Sequence, residues 1–188
     1  MAVRTAVQPA EAAARLHSYT VVDVRTPGEY AAGHLPGAHN VPLDRLRGAL
    51  PALKSAATRA ELLLVCASGS RSAAAHAELA AADIPATTLT GGTTAWAGQG
   101  HPVHRDATAK AVWPMERQVR LAAGSLVVLG LAAGTRRPRA RWLAAAIGSG
   151  LVFSAVTDTC GMAALLAKLP VNRPRTDDFD ATVAALSR

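Results

Sequence analysis

Residues 62–79 read LLLVCASGSRSAAAHAEL. An uninterrupted apolar run ends at a single thiol, Cys66, six small or polar residues follow, and then an alanine-rich pattern begins. The run Glu61–Val65 has no polar alternation after its first residue, as expected of a central strand buried on both faces of a parallel sheet. Ser72 to Ala82 carries helical spacing. A strand handing over to a helix through a short loop is the unit of an open α/β sheet. The carboxyl end of such a strand is where these sheets place their ligands.

The same grammar extends to either side. Pro9 to Leu16 reads as a short helix and Thr20–Val24 as a strand. Pro27 to Ala32 reads as one helical turn, followed by a Gly/Pro loop over 33–37. Asn40 to Leu43 is a short extended piece, and Asp44 is placed to cap a helix over Arg45 to Leu50. Ala86 to Thr90 reads as a further strand, Gly91-Gly92 as a turn, and Thr93 to Gln99 as a last helix. Strands alternating with helices predict a parallel sheet flanked by helices on both faces.

The loop after Cys66 is built for an anion. Ala67, Ser68, Gly69, Ser70, Arg71 and Ser72 include no bulky apolar side chain, so backbone N–H groups can turn inward beside the N-terminus of the next helix. That field favours thiolate over thiol and makes Cys66 a nucleophile inside an anion cradle. Attack on a phosphate ester and transfer of sulfur both use such a cradle. The spacing from Cys66 to Arg71 is C-x4-R, one residue shorter than the C-x5-R loop of tyrosine phosphatases, which counts against a phosphatase. By itself, a cysteine after an apolar strand is a small buried hydrophobe. The glycine and the arginine beside it shift the reading toward catalysis.

Three separated stretches then resemble one family. CASGSRS (66–72) looks like the active-site loop of rhodanese domains, which are sulfurtransferases. VVDVRTPGEYAAGHLPGAHNVPL (21–43) resembles the D-V-R-x-x-x-E-[FY] signature of that family with its G-H-[IL]-x-G-A-x-N-[IV]-P continuation. GGTTAWAGQGHPV (91–103) resembles its closing motif. The resemblance implies that Cys66 carries a sulfane sulfur as a persulfide and that N–H groups from Ala67 to Ser72 hold it. It also implies that Arg71 contacts the donor's sulfonate or braces the loop. The reaction is then a double displacement: thiolate attacks the outer sulfur of thiosulfate or a similar anionic donor, sulfite leaves, and a thiol or cyanide removes the sulfur. No cofactor or metal is called for.

Other polar residues have plainer readings. Asp23 and Arg25 are expected to form ion pairs and hydrogen bonds that support the loop, and Glu29 is not needed as an acid or base. His34 and His39 suit turn or capping roles. His101 and His104 have ligand-like spacing but a proline between them and no third partner. Trp96 reads as core.

Beyond residue 105 the composition changes. The net charge of +7 is uneven: residues 1–105 hold nine Lys/Arg and seven Asp/Glu, and the remainder eleven against six. A basic excess suits nucleic acid, a membrane surface or a tail, and the apolar runs among these arginines favour the membrane over nucleic acid. Leu121 to Gly134 and Trp142 to Val156 are free of charge, and TRRPRAR (135–141) separates them. Fourteen residues of helix span only about 21 Å against a hydrocarbon core of about 30 Å. Extension past Arg120, and past Asp158 to Ala167, improves the fit. Gly130-Leu-Ala-Ala-Gly134 is a G-x-x-x-G step, which allows close helix packing or a homodimer through the helices.

Glu116-Arg-Gln-Val-Arg120 and the stretch from Cys160 to Asn172 resemble the transmembrane hairpin of YgaP-like bacterial inner-membrane rhodaneses. The expected organisation is a rhodanese-like domain over 1–105, a linker over 106–118, a two-helix membrane hairpin over 119–169 and a polar tail over 170–188. Six basic residues outside the helix pair (Lys110, Arg117, Arg120, Lys168, Arg173, Arg175) outweigh four in its turn (Arg136, Arg137, Arg139, Arg141), which predicts both ends, and the rhodanese domain, in the cytoplasm. Two cysteines without a C-x-x-C pair fit a reducing compartment, and Cys160 reads as a buried small residue. The N-terminus lacks the apolar stretch of a secretory signal and is expected to be retained. The rival functional readings are a turnover sulfurtransferase, a non-turnover carrier or sensor delivering the sulfur to a membrane partner, and a phosphatase or arsenate reductase using the same cradle.

Overall fold

The structure is a computed structural model. It describes residues 5–105, 113, 115–157, 161–167, 169 and 176–188, with the side chains of Glu116, Ala164, Ala167, Thr176 and Asp177 left aside. The expectations placed on Lys110, Asp158, Cys160, Lys168, Arg173 and Arg175 lie outside these residues. The chain divides into two compact units: Met1–Ala111 with Pro174–Arg188, and Val112–Arg173.

The first unit is a five-stranded, wholly parallel sheet. Its strands are β1 (Ala6–Val7), β2 (Tyr19–Asp23), β3 (His39–Asn40), β4 (Glu61–Val65) and β5 (Ala86–Leu89), in the order β1-β5-β4-β2-β3. The central β4 is apolar on both faces because both are covered. Leu62 and Leu64 face one core with Val22 and Val24, while Leu63 and Val65 face the other with Val21 and Trp96. On the first face lie α3 (Leu46–Ala57) and α4 (Ser70–Ala80); on the second lie α1 (Pro9–Ala14) and α5 (Gly92–Gly98). The helical turn α2 (Pro27–Ala32) follows β2. The chain runs outward from β2 to β3, then crosses back to β4 and on to β5. The strand order therefore reverses between β2 and β4, and their carboxyl ends, Asp23 and Val65, stand side by side.

Four local details differ from the sequence reading. β1 is a two-residue edge strand, anchored by Thr88 N–H to the Thr5 carbonyl (3.0 Å) and Thr90 N–H to the Val7 carbonyl (2.9 Å). Asp44 is no helix cap: Leu43–Arg45 is a 3-10 turn, and α3 starts at Leu46 with Arg45 at its N-cap. α3 runs on through Pro51 to Ala57. Arg47 and Pro51 are both exposed, so water can serve the carbonyl that a proline cannot. α4 starts at Ser70, two residues early, because Gly69 takes the left-handed N-cap position (φ 115°).

The tail differs as well. Thr176–Ser187 forms a helix, α9, within the first unit. Leu186 is 2% exposed and joins the core of the α3 face, with Phe179 and Val183 packed against it. Arg59 Nη2 donates to the Leu186 carbonyl (2.6 Å), and the Arg45 guanidinium lies 5.3 Å from the Phe179 ring centroid.

The second unit is helical: α6 (Met115–Gly134), a 3-10 turn (Pro138–Ala140), α7 (Arg141–Thr157) and α8 (Gly161–Ala167). α6 reaches six residues further back than its charge-free run, and α8 is the apolar stretch GMAALLA. α6 and α7 pack on each other. A Cβ at Gly130 would stand 3.1 Å from Ala144 N, so the small residues of the G-x-x-x-G step serve this contact. Val128, Leu129, Trp142, Val152, Phe153 and Val156 are exposed. Pro138–Thr157, 20 residues with mean hydropathy 1.3, is long and apolar enough to cross a membrane. α6 is equally long, about 30 Å, but carries Glu116, Arg117 and Arg120 in its first turns.

Candidate functional site

The loop after β4 is shaped by what binds its carbonyls. Val24 N–H bonds the Val65 carbonyl (2.9 Å). At the start of α5, Thr93 N–H bonds the Cys66 carbonyl (2.8 Å) and Thr94 N–H the Ala67 carbonyl (3.0 Å). Gly92 makes this approach possible: its φ is +57°, and a Cβ there would collide with the Cys66 and Ala67 carbonyl oxygens. The Gly-Gly pair is thus a packing requirement of the loop, besides being a turn. With those carbonyls engaged, the chain turns at Gly69 so that its N–H points at Cys66 Sγ, 3.1 Å away.

Cys66 is 1% exposed at the bottom of this loop. Its thiol lies 3.6 Å from Ser72 Oγ, and Ser72 donates to the Gly69 carbonyl (2.9 Å), which fixes the turn. Ser72 therefore meets the sulfur through its side chain. Ser68 and Ser70 are exposed at the mouth, and Ala67, Gly69 and Arg71 are half-buried. The arrangement holds a sulfur against an amide and a hydroxyl, in line with the N-terminus of α4.

Two ion pairs flank it. Asp23, fully buried at the end of β2, accepts from Arg25 Nε (2.9 Å) and Nη2 (2.6 Å) and from Arg25 N–H (3.0 Å). Arg25 Nη2 also bonds the Gly33 carbonyl (2.7 Å), and Asn40 Nδ2 bonds the carbonyls of Asp23 (3.0 Å) and Arg25 (2.9 Å). The second pair is Arg71 with Glu29: Nη1 to Oε2 at 2.8 Å and Nη2 to Oε1 at 2.9 Å. Glu29 also receives Thr26 Oγ1 (2.9 Å) and Thr26 N–H (3.2 Å), closing the capping box of α2. Burial pushes the Glu29 pKa up, but Arg71 and Thr26 outweigh it and hold the carboxyl below its ordinary value. Burial works against the charge of Arg71 too, yet Glu29 first, then Cys66 and Asp23, keep its pKa above the usual one.

Glu29 is the residue that the sequence reading left out of the site. It lies 42 positions from its partner, and neither the D-V-R-x-x-x-E signature nor the capping pattern T-x-x-E, both of which contain it, points to that partner. The histidines sit elsewhere: His34 stacks on Tyr30 with ring centroids 3.8 Å apart and bridges backbone-to-backbone with His104. Trp96 is buried, with Nε1 donating to the Pro102 carbonyl (2.8 Å).

Comparison with known proteins adds to this geometry. The family description of the rhodanese-like domain matches residues 8–99, and that of the transmembrane domain of YgaP-like inner membrane proteins matches residues 112–175. A protein of Synechocystis sp., described as uncharacterized, is 37% identical over 156 residues, which are 81% of this chain and 84% of that protein. Among solved structures, the rhodanese-like domain of an Anabaena sp. protein shares the fold, with 22% identity, a TM-score of 0.50 and coverage of 59% of this chain and 87% of its own. A rhodanese-related protein of Thermoplasma volcanium is 30% identical, covering 53% of this chain and 96% of its own at a TM-score of 0.49.

Proposed function

Because the chain belongs to the family that joins a rhodanese-like domain to a YgaP-like transmembrane domain, we propose that it is a membrane-tethered sulfurtransferase working through a persulfide on Cys66. The family supports a sulfurtransferase-like, membrane-associated activity; the donor and the covalent step are our reading.

The observation that carries it is the Gly69 N–H aimed at Cys66 Sγ from 3.1 Å, in a loop whose outward carbonyls are already bonded. In the proposed cycle Cys66 thiolate attacks the outer sulfur of a sulfane donor such as thiosulfate. The donor's S–S bond breaks, sulfite departs with the electron pair, and the transferred sulfur stays bonded to Sγ. Its charge falls to N–H groups of the loop, that of Gly69 first among them. A thiol acceptor, or cyanide in an assay, then attacks the terminal sulfur and restores the thiolate. Asp23, Arg25, Glu29 and Arg71 hold the loop in place around these steps.

Two helix crossings, with the sulfurtransferase domain in the cytoplasm, complete the reading. Three observations support them: the length of α6, the exposed apolar surface of α7, and the return of the chain to the first unit in α9. A chain that leaves a folded body and comes back to it must cross the bilayer an even number of times.

A steady-state assay with thiosulfate and cyanide on the full-length protein tests the activity. Turnover by the wild type and none by Cys66→Ser supports it; equal rates in both refute it. Fractionation of cells tests the tether, with recovery in the soluble fraction as the contrary result.

A further inference from the structure

The turn between α6 and α7 packs Arg136, Arg137, Arg139 and Arg141 into six residues, and no carboxylate stands between Glu116 and Asp158. All four arginines are exposed, and none forms an ion pair among the described residues. At the opposite end of α6, by contrast, the Arg117 guanidinium lies 3.8 Å from the Trp113 ring centroid. The backbone gathers the four charges in one place. Arg136 and Arg137 N–H both bond the Ala133 carbonyl at the end of α6 (3.1 and 2.9 Å), and Ala140 N–H bonds the Arg137 carbonyl (2.8 Å) across the 3-10 turn. Gly134 leaves room for Arg141, whose side chain would collide with a Cβ there. Trp142, 76% exposed, comes next and opens the apolar α7. A tryptophan between arginines and an apolar helix suits the boundary of hydrocarbon and water. Guanidinium groups pair with phosphate oxygens through two parallel N–H bonds. A nucleic acid offers the same oxygens but would leave Trp142, Val152, Phe153 and Val156 in water.

We propose that the arginine turn is a binding site for the phosphate head groups of anionic phospholipids, which it gathers at the tip of the hairpin. This rests on the membrane-tethered reading above and names the lipid class. With both chain ends on the cytoplasmic side, the turn carries four positive charges to the far leaflet, against the usual bias of basic residues. Head groups of opposite charge offset that placement, and the arginines, free of carboxylate partners among the described residues, need break no ion pair to bind them.

The test uses the full-length protein with Trp113→Phe, which leaves Trp142 exposed on the hairpin as the reporter and Trp96 buried in the first unit. The protein is reconstituted in bilayers of equal parts phosphatidylglycerol and phosphatidylcholine, with the acyl chains of one or the other brominated. Quenching of Trp142 then gives the ratio in which the two lipids occupy the turn. The ratio is expected to favour phosphatidylglycerol by about fivefold or more, the scale of one arginine beside a head group. Changing Arg136→Gln, Arg137→Gln and Arg139→Gln together should bring it to about one. These three side chains are exposed, so the fold does not rest on them. A ratio of about one in the parent protein, or a ratio that the triple change leaves as it was, overturns the inference. So does loss of the preference on adding inorganic phosphate or an RNA oligonucleotide, beyond the effect of chloride at the same ionic strength, because the turn would then take soluble anions. No quenching by either brominated lipid would overturn the membrane tether itself, a different result from equal quenching by both.

Discussion

Gly69 and Cys66 are joined by a hydrogen bond from the glycine's N–H to the sulfur at 3.1 Å, and the glycine makes it at φ 115°. The bond depends on a backbone conformation that residues with a Cβ rarely adopt. Gly69→Ala should therefore cost about 1–2 kcal/mol of stability and slow sulfur loading on Cys66 by about tenfold, through a displaced amide. Denaturant unfolding and a loading time course measure the two effects separately.

Gly92 controls the same loop from the other side. A methyl group there would collide with the carbonyls of Cys66 and Ala67, backbone atoms that cannot rotate away. Gly92→Ala should destabilise the first unit by about 2–3 kcal/mol. The surviving folded fraction should load sulfur poorly, because the Thr93 and Thr94 bonds to those carbonyls are lost. Retention of both stability and loading would show that α5 does not shape the loop.

Asp23 is fully buried and its compensating charge is Arg25. Asp23→Ala leaves that guanidinium without its partner and should cost about 3–5 kcal/mol, read as a lowered denaturant midpoint. A loss under about 1 kcal/mol would mean that water reaches Arg25, as in an exposed pair.

Glu29 predicts a pH dependence. Burial raises its pKa, but Arg71 and Thr26 lower it further, so the folded carboxyl binds protons less readily than the unfolded one. The stabilisation is complete above the ordinary glutamate range and disappears as pH falls through the lower folded value. Unfolding free energy measured from neutral to acid pH should thus fall more steeply in the wild type than in Glu29→Gln. Parallel curves would contradict the assignment.

Leu186 joins α9 to the core of the first unit. Leu186→Ala should destabilise that unit by about 2–4 kcal/mol, the usual cost of such a truncation in a core. An unchanged midpoint in the full-length protein would show that the terminal helix is not part of the folded domain.

Most of the fold was legible because its strands and glycines have strong local signals. β4 was read to the residue, since five residues ending at a thiol admit little else. β1 was not, because two residues pairing along the sheet edge leave no periodicity. α9 was read as a polar tail because TDDFDATVAALS opens with three acids, and its narrow apolar stripe has meaning only against α3. In the site, Cys66 and its loop stood out because nucleophile, glycine and arginine are contiguous. Glu29 did not, because its pairing with Arg71 exists only once β2 and β4 lie side by side. The helix pair beyond residue 112 was apparent from composition, but its length was underestimated: a helix can keep charged residues in its first turns, as α6 does.

The central claim is a transferable sulfur on one thiol. Intact-protein mass spectrometry after exposure to a sulfane donor, with peptide mapping, measures it directly. The account predicts a gain of one sulfur atom located on Cys66, removed by an added thiol and absent from Cys66→Ser. A protein that takes up no sulfur from any donor, or takes it up equally after Cys66→Ser, would contradict it.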